Sequence, residues 1–193
     1  MERNSLYSQG YRLESQIREA YGRVVYTQTC HDKIVKRLKK YDDYVKIGQI
    51  VLSALTTGSF LLTIFGEEKS AIFGAFISAA LFILNTLSKN FKFIETAKQH
   101  QSAADFLWKI REEYVSLLTD FELLSQEEIM SKRDELQNRT YEVYSTTPRT
   151  DYKSYKEAQK ALKTEEEQTF SDKEIDVMLP NAIRRCNRNI ENR

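Results

Sequence analysis

Two stretches without an ionisable residue decide the fold of this chain: IGQIVLSALTTGSFLLTIF at positions 47–65 and AIFGAFISAALFILNTLS at positions 71–88. At about 1.5 Å per residue, helices of these lengths reach roughly 27 to 28 Å, close to the bilayer's hydrocarbon thickness of about 30 Å. The alternative is a pair of core helices in a soluble protein, but helices that are apolar on every side need a large surrounding shell. The sequence therefore predicts two transmembrane helices.

Only residues 66–70 separate the two stretches, so the second helix must return beside the first. The turn contains Glu67, Glu68 and Lys69, whereas basic residues crowd the opposite ends of both stretches: Lys33, Lys36, Arg37, Lys39, Lys40 and Lys46 before the first, and Lys89, Lys92 and Lys98 after the second. Because basic residues are retained on the cytoplasmic side, we expect residues 1–46 and 89–193 to be cytoplasmic and the turn to be external.

The composition of the flanks favours helices. The 193 residues include six Gly and two Pro, and the net charge of +1 gives no sign of a nucleic-acid-binding protein. The predicted fold is an all-α membrane protein, in which long amphipathic cytoplasmic helices lie before and after a two-helix transmembrane hairpin. The hydrophobic stripes of these helices can bury each other or their copies in neighbouring subunits: Tyr7, Tyr11, Ile17, Tyr21, Val24, Val35 and Leu38 upstream, and Phe91, Ile94, Ala97, Ala104, Leu107, Ile110, Tyr114, Leu117, Phe121 and Leu124 downstream.

Capping patterns divide the C-terminal region into further helices. Ser125 with Glu128 predicts a helix that continues to about Tyr144, and Asp151 can cap the next helix, to about Glu167. The same capping pattern recurs at Ser171 with Glu174 and opens a short last segment.

The predicted spans contain small and polar residues at helical spacing. Ala54 and Gly58 in the first, with Gly74, Ala75 and Ser78 in the second, are candidates for close helix packing. That packing can hold the hairpin together or join one hairpin to another. The candidate pore-lining or interhelical residues are polar ones that seek partners in a membrane, with Asn85 expected at the depth of Gln49: Gln49, Ser53, Thr56, Thr63 and Asn85.

Residues that could support catalysis are scarce. His31 and His100 lie in the two juxtamembrane helices without metal-ligand spacing, so a packing or interfacial role is favoured. Cys30 and Cys186 form no recognisable pair, and no phosphate-binding loop or nucleophile elbow occurs. We therefore predict no catalytic residue, cofactor or metal site, and an enzyme acting on lipid or nucleotide has no visible support.

The segment AKQHQSAADFLWKIREEYVSLLTDF, at 97–121, resembles the SLATT family, the two-transmembrane effector domains associated with bacterial nucleotide-signalling and reverse-transcriptase conflict systems. The positions that match the family pattern are His100, Ala103, Ala104, Phe106, Arg111, Tyr114, Leu117, Leu118 and Asp120. The subtype found beside reverse transcriptases is similar at His31 and at Phe170, Glu174, Ile175, Leu179, Pro180 and Arg184.

The resemblance implies an antiphage effector of the bacterial inner membrane that kills the cell or arrests its growth when a linked sensor detects phage. It implies as partner a reverse transcriptase or a nucleotide-signalling protein encoded nearby. With the hairpin, it favours a homo-oligomer that forms a pore or otherwise disrupts the membrane. The alternative is a non-conducting anchor or scaffold that recruits a cytoplasmic partner through its helices.

Overall fold

The computed structural model describes residues 2–64, 68–180 and 184, and it describes side chains at 10–64, 69–180 and 184. The described residues contain helices and no strand. In chain order the helices are α1 (Glu2–Ile64), α2 (Glu68–Phe91), α3 (Phe93–Thr119), α4 (Gln126–Thr146), α5 (Tyr152–Lys163) and α6 (Asp172–Met178). The all-α prediction is confirmed. Of the predicted turn at 66–70, residues 68–70 belong to α2, and 66 and 67 lie outside the described residues.

Helix α1 runs without a break from Glu2 to Ile64, and so covers the described part of the predicted cytoplasmic region 1–46 and of the predicted span 47–65. It contains no proline, and its 63 residues correspond to roughly 95 Å at about 1.5 Å per residue. Ion pairs one turn apart add local support at Glu14–Arg18 and Glu19–Arg23. A single helix therefore connects the N-terminal region to the hairpin.

The C-terminal part of α1 packs against α2 along a narrow seam. The residues at the seam are small or medium-sized and recur every three or four positions: Gly48, Leu52, Thr56, Ser59 and Thr63 in α1, and Gly74, Ile77, Leu81, Leu84 and Ser88 in α2. Only 6% of the most apolar window of each helix is buried within the chain. A core helix of a soluble protein would be mostly buried, so this exposure favours the membrane interpretation.

The rest of α1 forms a helical bundle with α3, α4 and α5. Its core is a continuous cluster: Leu13, Ile17, Ala20, Val24, Ala103, Leu107, Ile110, Tyr114, Leu117, Ile129, Leu136 and Val143. The two predicted hydrophobic stripes thus bury each other within one chain over most of their length, but Phe91 and Ile94 are 59% and 36% exposed, and the side chain of Tyr7 lies outside those described. Tyr11 is an exception and is 72% exposed, because it lies two residues, or about 200° around the helix, from the buried Leu13.

All three predicted helix starts are confirmed. Ser125 and Ser171 each form a reciprocal capping box with the glutamate three residues later, and the Asp151 carboxylate accepts the Ser154 amide. Helix α5 ends at Lys163, before the predicted Glu167. The amides of Thr164 and Glu165 both donate to the Lys160 carbonyl, which turns the chain out of the helix.

Candidate functional site

Five of the eight hydroxyl groups in the predicted spans donate to backbone carbonyls of their own helices. The Thr56 hydroxyl donates to the Leu52 carbonyl at 2.8 Å, and the Thr63 hydroxyl donates to the Ser59 carbonyl at 2.9 Å. Thr57, Ser59 and Thr86 make the same bond to the residue four positions earlier. Such bonds remove much of the cost of placing a hydroxyl in lipid, because its donor is satisfied without another helix.

The side-chain amides of Gln49 and Asn85 differ from these hydroxyls. Among the described residues, they make no hydrogen bond to the backbone of their own helix and none to each other. Their neighbours Gly48 and Leu84 meet at the seam, where a Cβ atom on Gly48 would lie 3.2 Å from Leu84 Cδ2. The two amides are therefore at similar depth, but Gln49 is half-buried and Asn85 is exposed. Ser53 is also exposed, whereas Thr56 and Thr63 are half-buried toward α2.

The two hairpin helices approach each other closely at Gly74. A Cβ atom there would lie 3.0 Å from the Ser59 Cβ, so a larger residue would require the two helices to shift apart. Gly58 is half-buried with open space around it, and Ala54, Ala75 and Ser78 are exposed. Sequence reasoning missed the seam positions Gly48 and Ser59, although their spacing with Leu52 and Thr63 is the signal that could have identified them.

Aromatic residues mark the junction between hairpin and bundle. Phe91 stacks on Phe93 with ring centroids 5.5 Å apart, and Tyr41 approaches Phe93 at 6.2 Å. The Lys40 ammonium lies 5.6 Å from the Tyr44 ring centroid. Aromatic and basic residues of this kind are typical of a membrane–water interface, and sequence patterns alone did not identify this cluster.

Helices α2 and α3 meet at this junction through Lys92. Its backbone is left-handed, with φ 41° and ψ 42°, a conformation that is uncommon for a residue other than glycine. The helical backbone is therefore interrupted between α2 and α3, whereas α1 continues from the bundle into the hairpin without interruption. One connection between hairpin and bundle is a continuous helix, and the other is interrupted at Lys92.

The structure brings together the two histidines at the membrane-proximal end of the bundle. His31 of α1 and His100 of α3 are both buried, with their Nδ1 atoms 2.8 Å apart and their ring centroids 4.9 Å apart. One Nδ1 must donate and the other accept, so the two neutral rings hold opposite tautomers. Burial and the neighbouring His100 lower the pKa of His31 to about 4. Burial also lowers the pKa of His100.

Charged groups of α1 and α5 lie beside the histidines. The Arg37 guanidinium donates to the carboxylates of Asp151 and Glu157. Although burial raises it, hydrogen bonds from Ser154 and the charge of Arg37 leave the pKa of Asp151 below its ordinary value. Asp151 thus caps α5 and fixes it to α1.

The other residues of the family pattern have mainly structural positions. Ala104 and Tyr114 are buried in the bundle core, and Asp120 is exposed at the C-cap of α3. Arg111 donates to the Gln168 side-chain oxygen, and the Gln168 amide donates to the Thr29 hydroxyl at 3.0 Å.

One residue before Gln168, the two oxygens of the Glu167 carboxylate accept from the Lys33 ammonium at 2.8 and 2.9 Å. The hydrogen bond from this ammonium lowers the pKa of Glu167. Residues 164–169, which we call the strap, therefore connect α1 and α3 on the outside of the bundle.

A groove of about 1140 Å³ lies between α3 and α4. It is lined by Phe106 and Lys109 on α3, by Glu135, Arg139 and Glu142 on α4, and by smaller residues. Arg139 also donates two hydrogen bonds to Glu113. Within the described part of the chain, no group of three or more His, Cys, Asp or Glu residues is placed to hold a metal ion.

Comparison of the chain with curated proteins and with solved structures found no match in either set. A family model does match, over residues 13–174, and its description is SMODS and SLOG-associating 2TM effector domain family 4. The matched region includes both apolar helices, the histidine pair and the strap. SLATT is a two-transmembrane effector domain associated with conflict systems. The chain belongs to the SLATT effector domain family.

Proposed function

We propose that this protein is an antiphage, abortive-infection effector whose copies assemble in the bacterial inner membrane and form a pore or otherwise disrupt it. The observation that carries the proposal is the exposed surface of the hairpin. Large apolar side chains cover it, yet Asn85 presents an exposed amide that makes no hydrogen bond to another described residue of its own chain. A polar group in lipid is costly unless it meets another polar group or water. A second hairpin supplies that partner.

Assembly follows from the size of the hairpin. Two helices cannot enclose an aqueous path, so a conducting form must contain several copies of the chain. Gln49, Ser53, Thr56, Thr63 and Asn85 are the proposed polar contacts or pore lining. Ala54, Gly58, Ala75 and Ser78 are the proposed close contacts between hairpins, while Gly74 packs within one hairpin.

The proposed topology follows from the distribution of lysines and from the aromatic cluster at the junction. Residues 1–46 and 89–193 are cytoplasmic, the segments 47–65 and 71–88 span the inner membrane, and the 66–70 turn is external. A reporter that is active only in the periplasm tests this. It should be inactive when fused near Lys153 and active when inserted near Glu67, and the reverse result excludes the topology.

The bundle receives the activating signal in this proposal. A reverse transcriptase or a nucleotide-signalling protein encoded nearby supplies it, and α1 transmits it because this helix has no break between bundle and hairpin. We propose no enzymatic activity, cofactor or direct contact with nucleic acid. The effect on the cell is physical, through the membrane.

The decisive experiment measures membrane potential in cells that express the chain with and without its genomic neighbours. Activation should abolish the potential, and light scattering of the detergent-solubilised protein should then show an oligomer. A chain that stays monomeric while the potential is lost contradicts the pore. A potential that persists in activated cells favours the non-conducting anchor that recruits a cytoplasmic partner.

A further inference from the structure

The buried histidine pair has no role in the function proposed so far. His31 and His100 are the sequence's two histidines, and they are only 2% and 4% exposed. They join α1 to α3, the two helices that lead directly into the predicted spans. The pair is therefore a direct polar contact between the two helices that continue into the hairpin.

The geometry of the pair limits how many protons it can hold. With Nδ1 atoms 2.8 Å apart, one ring donates and the other accepts. A first added proton can enter the donor ring without breaking this bond. A second proton places two N–H groups and two positive charges against each other at a distance that only a hydrogen bond tolerates. The doubly charged pair must separate.

The surroundings of the pair compensate only part of such a charge. Arg37 of α1 opposes a positive charge on His100, and Asp151 at the start of α5 favours it, but Asp151 is already bound to Arg37. Glu157 of α5 is bound to Arg37 as well. On the other side, a cleft of about 470 Å³ is lined by His31, by Tyr144 of α4 and by Arg149 of the α4–α5 link. This cleft gives protons a path to the pair.

We propose that His31 and His100 form an acid-sensitive latch, which holds α1 against α3 at neutral pH and releases the two helices when the cytoplasm acidifies. The inference rests on the proposed function. A membrane lesion admits protons, and the resulting acidification releases the latch in chains that have not yet assembled. The first lesions thereby promote further ones.

The direction of the pH effect follows from proton linkage. In the closed bundle the pKa of His31 is about 4, whereas a histidine released to water has an ordinary value near 6.5. Between these values the open form binds more protons, so acidification favours opening. For one such histidine, lowering the pH from 7.5 to 5.5 increases the open-to-closed ratio about tenfold.

The test uses the full chain in detergent and does not require pore formation, so it can fail independently of the proposed function. Ala97 is 1% exposed on α3, one turn before His100, and its replacement by cysteine supplies a buried reporter. Cys30→Ala and Cys186→Ser remove the two native thiols. The labelling rate is divided by that of the denatured chain at the same pH. Protection of the reporter should fall about tenfold between pH 7.5 and 5.5.

Two variants identify the groups responsible. His31→Asn with His100→Asn places an uncharged amide near each Nδ1 position, and protection should then change less than about twofold. Burial raises the pKa of the adjacent Asp32, so Asp32→Asn is the matched control and should retain the full pH effect. A pH effect that persists in the double variant, or disappears in Asp32→Asn, overturns the latch.

Ring signals of the native chain give an answer even where the double variant does not fold. The sequence contains two histidines, so two titrations are expected in the nuclear magnetic resonance spectrum. At least one should have its midpoint below pH 5.5. Two independent midpoints near pH 6.5 would mean that the rings are not a buried pair, and the proposal would be wrong.

Discussion

The two ends of α1 show opposite patterns of burial. In the bundle, Ile17 and Val24 are almost completely buried, whereas in the hairpin Ile50 and Phe60 are 69% and 66% exposed. At the hairpin seam it is Ser59, a polar residue, that is 6% exposed. The bundle places most of its large apolar side chains inside, whereas the hairpin places most of them outside, over a narrow seam in which Ser59 and Ile77 are buried. One continuous helix thus fits two different solvents.

Polar groups are satisfied differently in the two regions. The bundle joins separate elements through side chains, as in the pair His31–His100 and in the contact of Arg139 with Glu113. In the hairpin, Thr56 and Thr86 bond to the backbone of their own helix. Polar contacts between elements thus add to the apolar core that stabilises the bundle, whereas these hairpin hydroxyls make no bond between the two helices.

The largest effect is expected from a cavity in the bundle. Leu107 is fully buried on α3, so Leu107→Ala should reduce the free energy of unfolding by about 2 to 5 kcal/mol. Urea denaturation of the full chain in detergent, monitored by helical circular dichroism, measures this loss. The matched substitution in the hairpin is Leu61→Ala, at a position that is 51% exposed to lipid or detergent, and its cost should be below about 1 kcal/mol. Equal losses of unfolding free energy for Leu107→Ala and Leu61→Ala would contradict the difference in burial between bundle and hairpin.

The next effect concerns the hairpin seam. Gly74→Val places side-chain atoms against Ser59, where even a Cβ would be 3.0 Å from its neighbour, so the helices must move apart. We expect a loss of about 1 to 3 kcal/mol, seen as a decrease of several degrees in melting temperature. Gly58→Val is the control with the same change in helix propensity, because a Cβ atom at Gly58 would meet no atom within 4 Å. A larger decrease in melting temperature for Gly58→Val than for Gly74→Val would show that α1 and α2 do not pack along the seam described above.

The sequence predicted the features that depend on local pattern. The apolar stretches, the short connection between them and the Ser125 and Ser171 capping boxes are encoded within a few residues of each other. The register between helices was not predictable in this way. His31 and His100 lie 69 positions apart, and Gln168 meets Thr29 across 139 positions. Such contacts depend on how helices pack, which periodicity along one helix does not specify.

A smaller effect is expected from the polar positions on the two sides of the spans. Replacing Gln49 and Asn85 with Leu should leave insertion intact and weaken the oligomer several-fold, because hydrogen bonds between helices in membranes contribute roughly 0.6 to 2 kcal/mol. Membrane potential after activation and the oligomeric fraction in detergent are the measurements. Thr57→Val with Thr86→Val is the control, since these exposed hydroxyls already bond to their own backbone. Unchanged toxicity of the Leu variant at matched membrane levels would favour the anchor interpretation.

The smallest effect on stability is expected at the strap. A polar contact between elements of the bundle can be compared there with the hairpin hydroxyls that bond to their own helix backbone. Gln168 receives a hydrogen bond from Arg111 and donates one to Thr29, so Gln168→Ala breaks two tertiary bonds at once. Because both partners are half-buried or buried, we expect a loss of about 1 kcal/mol in the urea experiment. Gln159→Ala, on the exposed surface of α5, removes the same side chain and should cost little. If Gln168→Ala is as neutral as Thr86→Val, the strap does not stabilise the bundle, and tertiary polar contacts do not distinguish it from the hairpin.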